Sequence, residues 1–287
     1  MVTIPPELKT EYPFESHFMS INENKLHYVD VGTGEVILML HGNPTWSFFY
    51  RNLAKTFSKN YRVIVPDHIG CGLSDKPQDF SYTLESHIEN IEKLVQELKL
   101  ENITLIVHDW GGAIGMGLAT RHPNLIKKVV IMNTAAFVSP YIPARINILR
   151  NPIGEWAIRA FNGFAFPATF MTTTKKLSPL VKKGFILPYH NFESRIATAK
   201  FVQDIPMNES HSSFSTLKEI ENKLPSLKMP ILLLWGEKDF CFTTKFLERW
   251  KEFFPEAKSR IFPNAGHYLI EDEETEITNE IATFLKQ

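Results

Sequence analysis

Apolar residues in this chain come in short unbroken runs, and between the runs they recur at helical spacing. "HFMSI" and "KLHYVDVG" open the chain as two candidate strands, and "EVILML" follows as a buried one ending at His41-Gly42. "WSFFYRNLAKTFS" has helical character, and "YRVIVPDH" is the next strand. Leu84, Ile88, Ile91, Val95 and Leu98 then step by three or four, the spacing of one apolar helix face. "ITLIVHD", "GGAIGMGLATRH" and "IKKVVIMNTAA" read as strand, helix, strand. After a break, "PILLLWGEKD", "TKFLERWKEFF", "KSRIFPNAGH" and "EITNEIATFLKQ" resume the alternation. Strands alternating with helices predict a doubly wound, mostly parallel α/β sheet. Continuous apolar strands predict burial on both faces, with functional residues at the strands' carboxyl ends.

The break covers residues 137–214, where aromatic, Met and Pro residues crowd together, as in "FNGFAFPATFM". An insertion between two parts of one sheet predicts a helical cap over the strand ends, on a core formed by 1–136 and 215–287. Its aromatics exceed what one helical face needs for packing.

Composition narrows the function classes. Lys and Arg number 31 against 32 Asp and Glu, for a formal net charge of -1. So even a balance argues against nucleic acid or an acidic membrane surface as partner. Cys71 and Cys241 are the two cysteines, with neither metal spacing nor a disulfide framework. The N-terminus lacks the build of a signal peptide, and no apolar run reaches transmembrane length. The expectation is a cytoplasmic protein that uses no metal and no cofactor.

Three chemical groups fall at strand ends: Asp109 after "ITLIV", Asp239 after "ILLLWGEK", and His267 after "RIFPNAG". Nucleophile, acid, histidine is the chain order of an α/β-hydrolase triad. "HDWGG" fits the sharp strand-to-helix turn that presents a nucleophile, with Gly111 as the small residue two past the tip and Gly112 allowing close helix packing. No G-x-S-x-G occurs, which argues against a serine esterase. A carboxylate at this turn is ionised at neutral pH without a base. It can displace a leaving group from saturated carbon and form an alkyl ester. His267 then activates water against that ester, oriented by Asp239. The Trp110 indole N–H and the Asn43 amide in "HGNPTW" are neutral donors for a soft departing anion, and their backbone N–H groups suit an oxyanion hole. Singly, Asp109 or Asp239 reads as a helix N-cap, Trp110 as core and Asn43 as turn chemistry; the joint pattern is far more specific. The sixth strand ends in Asn133-Thr134, neither a carboxylate, which leaves Asp239 as the acid. His41, His108, His122 and Asp204 read as structural, and "PDHIGCGLSDKP" reads as a tight connecting loop.

"HGNPTW", "VHDWGG", "GEKDF" and "NAGHYLIED" together resemble the haloalkane dehalogenase family of α/β-hydrolases, over nearly the whole chain. The resemblance implies an eight-stranded sheet, Asp109 as nucleophile, Asp239 as acid, His267 as histidine, and Asn43 with Trp110 as the halide-binding pair. Asn43 combined with an acid at Asp239 resembles the family's third branch. That branch includes enzymes that decarboxylate β-lactones in bacterial long-chain olefin synthesis. "VPDHIGCGLSDKP", "NTAAF", "GEWAIRAFNGF", "RIATAKFVQDIPM" and "KDFCF" resemble those enzymes, several of them within the cap. Caps diverge faster than triads, so the resemblance favours a cis-β-lactone over a haloalkane as substrate. It implies an apolar small molecule and, as partners, enzymes of olefin synthesis. Epoxide hydrolases share the aspartate turn but need two cap tyrosines, for which Tyr141 and Tyr189 are candidates. A non-catalytic binder would have lost part of the triad, and all of it is present.

Overall fold

The computed structural model describes residues 2–287. The strands are β1 (His17–Ile21), β2 (Asn24–Val31), β3 (Val36–Leu40), β4 (Arg62–Pro66), β5 (Ile103–His108), β6 (Ile126–Met132), β7 (Ile231–Gly236) and β8 (Lys258–Phe262). They form one sheet in the order β1-β2-β4-β3-β5-β6-β7-β8. β1 pairs antiparallel with β2 and β2 with β4; every later pairing is parallel. β3, β5 and β7 are buried along their whole length, as expected for strands covered on both faces by helices. Two apolar clusters lie on either side: Leu38, Leu105 and Val129 point into one, Ile37, Ile106 and Val130 into the other. The alternation is the pleat itself, successive side chains taking opposite faces.

Strand order places chemistry. The chain leaves β3, crosses to β4 on one side, and returns to β5 on the other, so β3 and β5 are neighbours whose outgoing loops part in opposite directions. That switch point opens a crevice at the strand ends. The loop after β3 carries Asn43, and the turn after β5 carries Asp109.

Between β6 and the helix Phe214–Lys223 the chain forms a run of short helices, among them Pro152–Phe161, Ala165–Met171, Pro179–Ile186 and Ile196–Gln203. Asn151 and Ser178 cap two of these with their side chains, each followed by a proline in the first turn. Asp204 ends the last of them. Its carboxylate accepts from the Leu84 N–H at the start of helix Leu84–Glu97 (2.8 Å) and from the Ser213 hydroxyl (2.7 Å). Burial raises this carboxyl to about 6, against the pull of those donors. The loop "PDHIGCGLSDKP" is tight for a physical reason: Asp67 is buried and accepts from the Ser47 and Leu73 N–H groups, and a Cβ at Gly72 would lie 2.1 Å from its Oδ2. No helix among the described residues is long and apolar enough to cross a membrane.

Candidate active site

The turn after β5 is a nucleophile elbow in geometry. Asp109 has φ 51° and ψ -129°, a conformation L-residues rarely adopt, which throws its carboxylate out between β3 and the helix Trp110–Arg121. Asp109 occupies the N-cap position of that helix, yet its side chain caps nothing. The turn is possible only because its neighbours have no side chains. A Cβ at Gly111 would lie 2.0 Å from the Leu40 carbonyl oxygen, and one at Gly112 would lie 1.9 Å from Thr134 Oγ1. Thr134 donates its hydroxyl to the Asp109 carbonyl and receives the Trp250 indole N–H on its own carbonyl (2.8 Å). The strained residue is thereby tied to β6 and to helix Thr244–Phe253.

The two oxygens of Asp109 differ. Oδ1 accepts the Asn43 backbone N–H at 2.6 Å, while Oδ2 lies 3.7 Å from His267 Nε2. The Trp110 backbone N–H also favours the charged form of the carboxylate. Burial raises the Asp109 carboxyl above its ordinary value, although His267 and the two N–H groups pull it down. Burial likewise opposes the charged imidazolium of His267, but Asp239 and Asp109 outweigh it and the net shift is upward. The three groups thus form a chain of compensated charge in a buried site, where each interaction counts for more than in water.

His267 is held at both ends. Its Nδ1–H donates to Asp239 Oδ2 at 2.8 Å, which leaves the Nε2 lone pair facing Asp109. Its backbone carbonyl accepts His108 Nε2–H at 2.8 Å, so the histidine before the nucleophile fixes the loop that carries the triad histidine. Asp239 lies in a bend after β7 and is not a helix cap; Thr243 occupies that position for the next helix. Its Oδ1 accepts the Cys241 N–H at 2.6 Å. Its Oδ2 also accepts Asn133 Nδ2 at 2.8 Å, and Asn133 Oδ1 takes the Gly236 N–H at 2.7 Å. Asn133 therefore stands at the end of β6 as a clamp on the acid of β7. Reading the sequence for carboxylates passed over it as a non-acid. The available signal was its place, a polar side chain ending a buried strand beside the acid's strand.

Gly42 was passed over as well. A Cβ there would lie 2.1 Å from Asp109 Oδ1. His41 supports this loop: its Nε2 accepts the His68 N–H at 3.1 Å, which fixes the tautomer so that Nδ1–H donates to the Gly42 carbonyl at 2.7 Å.

The expected leaving-group donors both line one cavity of about 390 Å³ with Asp109 and His267. Trp110 offers its indole N–H there with no hydrogen-bond partner among the described residues. Asn43 is differently placed from the sequence expectation: one amide hydrogen is spent on the Thr198 carbonyl (3.1 Å), a contact from the inserted helices, and only the other is free. The remaining wall is mostly apolar, with Phe137, Phe164, Met171, Val202, Phe242 and Leu217 among its residues, and Arg145 stands at its rim. "FNGFAFPATFM" divides: Gly163, Phe164, Pro167, Ala168 and Met171 line the cavity, whereas Phe161, Phe166 and Phe170 are exposed on the outside. Of the two tyrosines an epoxide opening needs, Tyr141 lines the cavity; Tyr189 is buried elsewhere and donates to the Thr45 carbonyl at 3.2 Å. His122 pairs with Glu92 at the far end of its helix, away from the site. No cluster of metal-binding side chains occurs among the described residues.

Comparison with known proteins identifies the family. Residues 35–274 match the family model for the alpha/beta hydrolase fold. A cis-3-alkyl-4-alkyloxetan-2-one decarboxylase from Shewanella oneidensis is 43% identical over 98% of this chain and 91% of that protein. Haloalkane dehalogenase 2 of Mycobacterium tuberculosis is 31% identical over 91% of each chain. Among solved structures, a haloalkane dehalogenase from Agrobacterium tumefaciens C58 superposes with a TM-score of 0.85 at 26% identity, covering 95% of this chain and 96% of that one. The chain is a member of the α/β-hydrolase family, in the group that joins the oxetanone decarboxylases to the haloalkane dehalogenases.

Proposed function

We propose that this protein decarboxylates cis-3,4-dialkyl β-lactones to olefins through a covalent intermediate on Asp109. One observation carries the reading: a buried, asymmetrically held carboxylate faces an apolar cavity, in a chain whose oxetanone-decarboxylase relative is 43% identical from end to end. Asp109 is the nucleophile, Asp239 the acid, His267 the histidine, and Trp110 with Asn43 the receivers of the leaving group. Residues 137–214 act as the cap that shapes the cavity.

Oδ2 attacks the ring carbon bearing the ring oxygen. That C–O bond breaks, its electron pair leaves on a carboxylate, and the Trp110 indole N–H with the free Asn43 amide hydrogen receives the anion. The C–C bond to the carboxylate then breaks. Its pair becomes the π bond, carbon dioxide departs, and Asp109 leaves with the ester C–O pair. No proton and no water is consumed. Inversion followed by antiperiplanar loss carries a cis lactone to a cis olefin. His267, whose cationic form is favoured by its two carboxylates, stabilises the Asp109 anion as it re-forms. Attack at the lactone carbonyl is disfavoured, because the Asn43 N–H that would help to hold its oxyanion is already on the nucleophile.

A second reading rests on the same groups: with a haloalkane, Asp109 forms an alkyl ester, halide departs to Trp110 and Asn43, and His267 activates water. The cavity does not favour an epoxide hydrolase, since it presents one tyrosine only. The site residues need no metal or cofactor for either reaction, and a cytoplasmic location completes the proposal.

A paired assay tests it, with olefin release from a cis-β-lactone and halide release from a bromoalkane measured under one set of conditions. Olefin release should dominate; halide release alone would overturn the preference. His267→Gln incubated with the bromoalkane should retain an alkyl adduct on the peptide containing Asp109. An unmodified peptide, with the parent protein active on that compound, would sink the covalent mechanism.

A further inference from the structure

The outer face of the cap is apolar where a soluble protein's helix should be polar. In helix Pro152–Phe161 the buried positions are Gly154 and Ile158, so the opposite face carries Ile153, Trp156 and Phe161 into solvent, Ile153 79% and Phe161 70% exposed. Helix Ala165–Met171 repeats the arrangement: Ala165, Ala168 and Thr169 point inward, and Phe166 and Phe170 outward. Trp156 packs edge-on to Phe161, and Phe166 edge-on to Phe170, ring centroids 5.2 and 5.0 Å apart. A helix apolar on both faces is normally buried on both. Exposed clusters of this kind mark a contact surface.

Charge identifies the contact. Phe137 to Phe192 holds seven Lys and Arg against a single acid, Glu155, which is itself paired with Arg159 and Lys200. Lys175 and Lys183 reach acids of the core, Glu273 and Glu7. Arg145, Arg150, Lys176 and Lys182 have no acidic partner among the described residues. Lys182 sits over the exposed Phe170 ring at 4.6 Å. The balanced charge of the whole chain conceals this segregation, because the rest of the molecule is correspondingly acidic. Aromatic and aliphatic side chains beside unneutralised cations are the composition of an interfacial helix on anionic lipid. The surface is also continuous with the cavity mouth: Tyr141 and Met171 line the cavity and are 50% and 43% exposed.

We propose that helices Pro152–Phe161 and Ala165–Met171 dock on an anionic lipid bilayer, so that the cavity opens toward the apolar phase. An apolar ligand then enters without crossing water. The surface does not depend on which electrophile Asp109 attacks.

Flotation of the full chain with vesicles of phosphatidylcholine, with and without phosphatidylglycerol, tests the proposal. Binding is expected with phosphatidylglycerol, weakening as salt is raised. Trp156 emission should shift to the blue on binding, and the shift should be absent in Trp156→Phe. Lys176→Gln with Lys182→Gln should lower partitioning on the order of 30-fold, at about one basic side chain's contribution per residue lost. Trp156→Ser with Phe161→Ser should lower it by roughly tenfold or more. None of these residues lines the cavity, and unchanged melting temperatures would show that the variants are folded. Failure of the parent chain to float, or undiminished flotation of both folded double variants, would overturn the proposal. So would self-association through this face, seen as a dimer by light scattering that Trp156→Ser with Phe161→Ser dissolves while vesicles remain unbound.

Discussion

Asn133 shows what one uncharged residue does to a charged network. Its amide binds Asp239 Oδ2 beside the His267 bond, and so takes part of the negative charge that would otherwise draw the imidazole proton. Removing it leaves the Asp239 charge to act more fully on His267, and the raised imidazolium pKa should rise further. Ester hydrolysis needs neutral His267, so it is lost as pH falls through that pKa. Asn133→Ala should therefore lower kcat on a haloalkane by roughly ten- to a hundredfold and move the acid limb of its pH profile upward. Asn133→Gln should recover part of the rate if it reaches the same oxygen. A uniform loss with an unmoved limb would mean that Asn133 only supports the fold. At this scale Asp109, Trp110, Asp239 and His267 were legible because Asp109 and Trp110 directly follow an apolar strand, and Asp239 and His267 stand in the loops after β7 and β8 in the chain order of a triad. Asn133 and Gly42 were not, because their importance comes from neighbours across the sheet, which one chain's spacing does not reveal.

The elements were legible where burial is complete: β3, β5 and β7 carry unbroken apolar runs, and a run long enough to cross a sheet covered on both faces has few alternatives, whereas the largely exposed edge strands β1 and β8 were marked only by their place in the alternation. Their order was not. That β3 lies between β4 and β5, and thereby brings the Asn43 loop over the Asp109 turn, follows from right-handed crossovers acting on strands that sequence shows only in succession. The junction of β3 with β5 separates two kinds of glycine. At Gly111 a Cβ meets backbone, the Leu40 carbonyl, which cannot move without disturbing the sheet. At Gly42 it meets the Asp109 side chain, Cβ at 2.3 Å as well as Oδ1 at 2.1 Å, so the damage falls on the placement of the carboxylate. Gly42→Ala should lose roughly a hundredfold or more in kcat, with a smaller loss of stability than Gly111→Ala. Gly111→Ala should destabilise by roughly 3 kcal/mol or more as the elbow is forced open. Thermal melts beside initial rates distinguish them, and equal loss of stability in both would refute the distinction.

Over the whole molecule, one segment serves two surfaces. Residues 137–214 supply the inner wall of the cavity through Phe164, Pro167 and Met171, and the exposed aromatic face through Trp156, Phe161 and Phe166. The crowding of aromatics was visible in sequence, but its division was not, since helices this short carry too few turns to display two faces by period. Asp204 joins the segment to the core by accepting from Leu84 and Ser213 at the cost of a carboxyl held near 6.

The unequal oxygens of Asp109 have an isotopic consequence. On the proposed mechanism Oδ1 stays with the Asn43 N–H, and Oδ2, the oxygen nearer His267, makes the bond to carbon. When water cleaves the resulting ester at its carbonyl, the carboxylate keeps one solvent oxygen, and the oxygen it donated leaves in the alcohol. When carbon dioxide is lost instead, the ester C–O bond breaks on the carbon side and Asp109 recovers its own oxygen. After turnover in heavy-oxygen water, the peptide containing Asp109 should be labelled by a haloalkane and unlabelled by a β-lactone. The label on Asp109 thus records whether water has ever cleaved an ester there, a mark that lactone turnover neither writes nor erases.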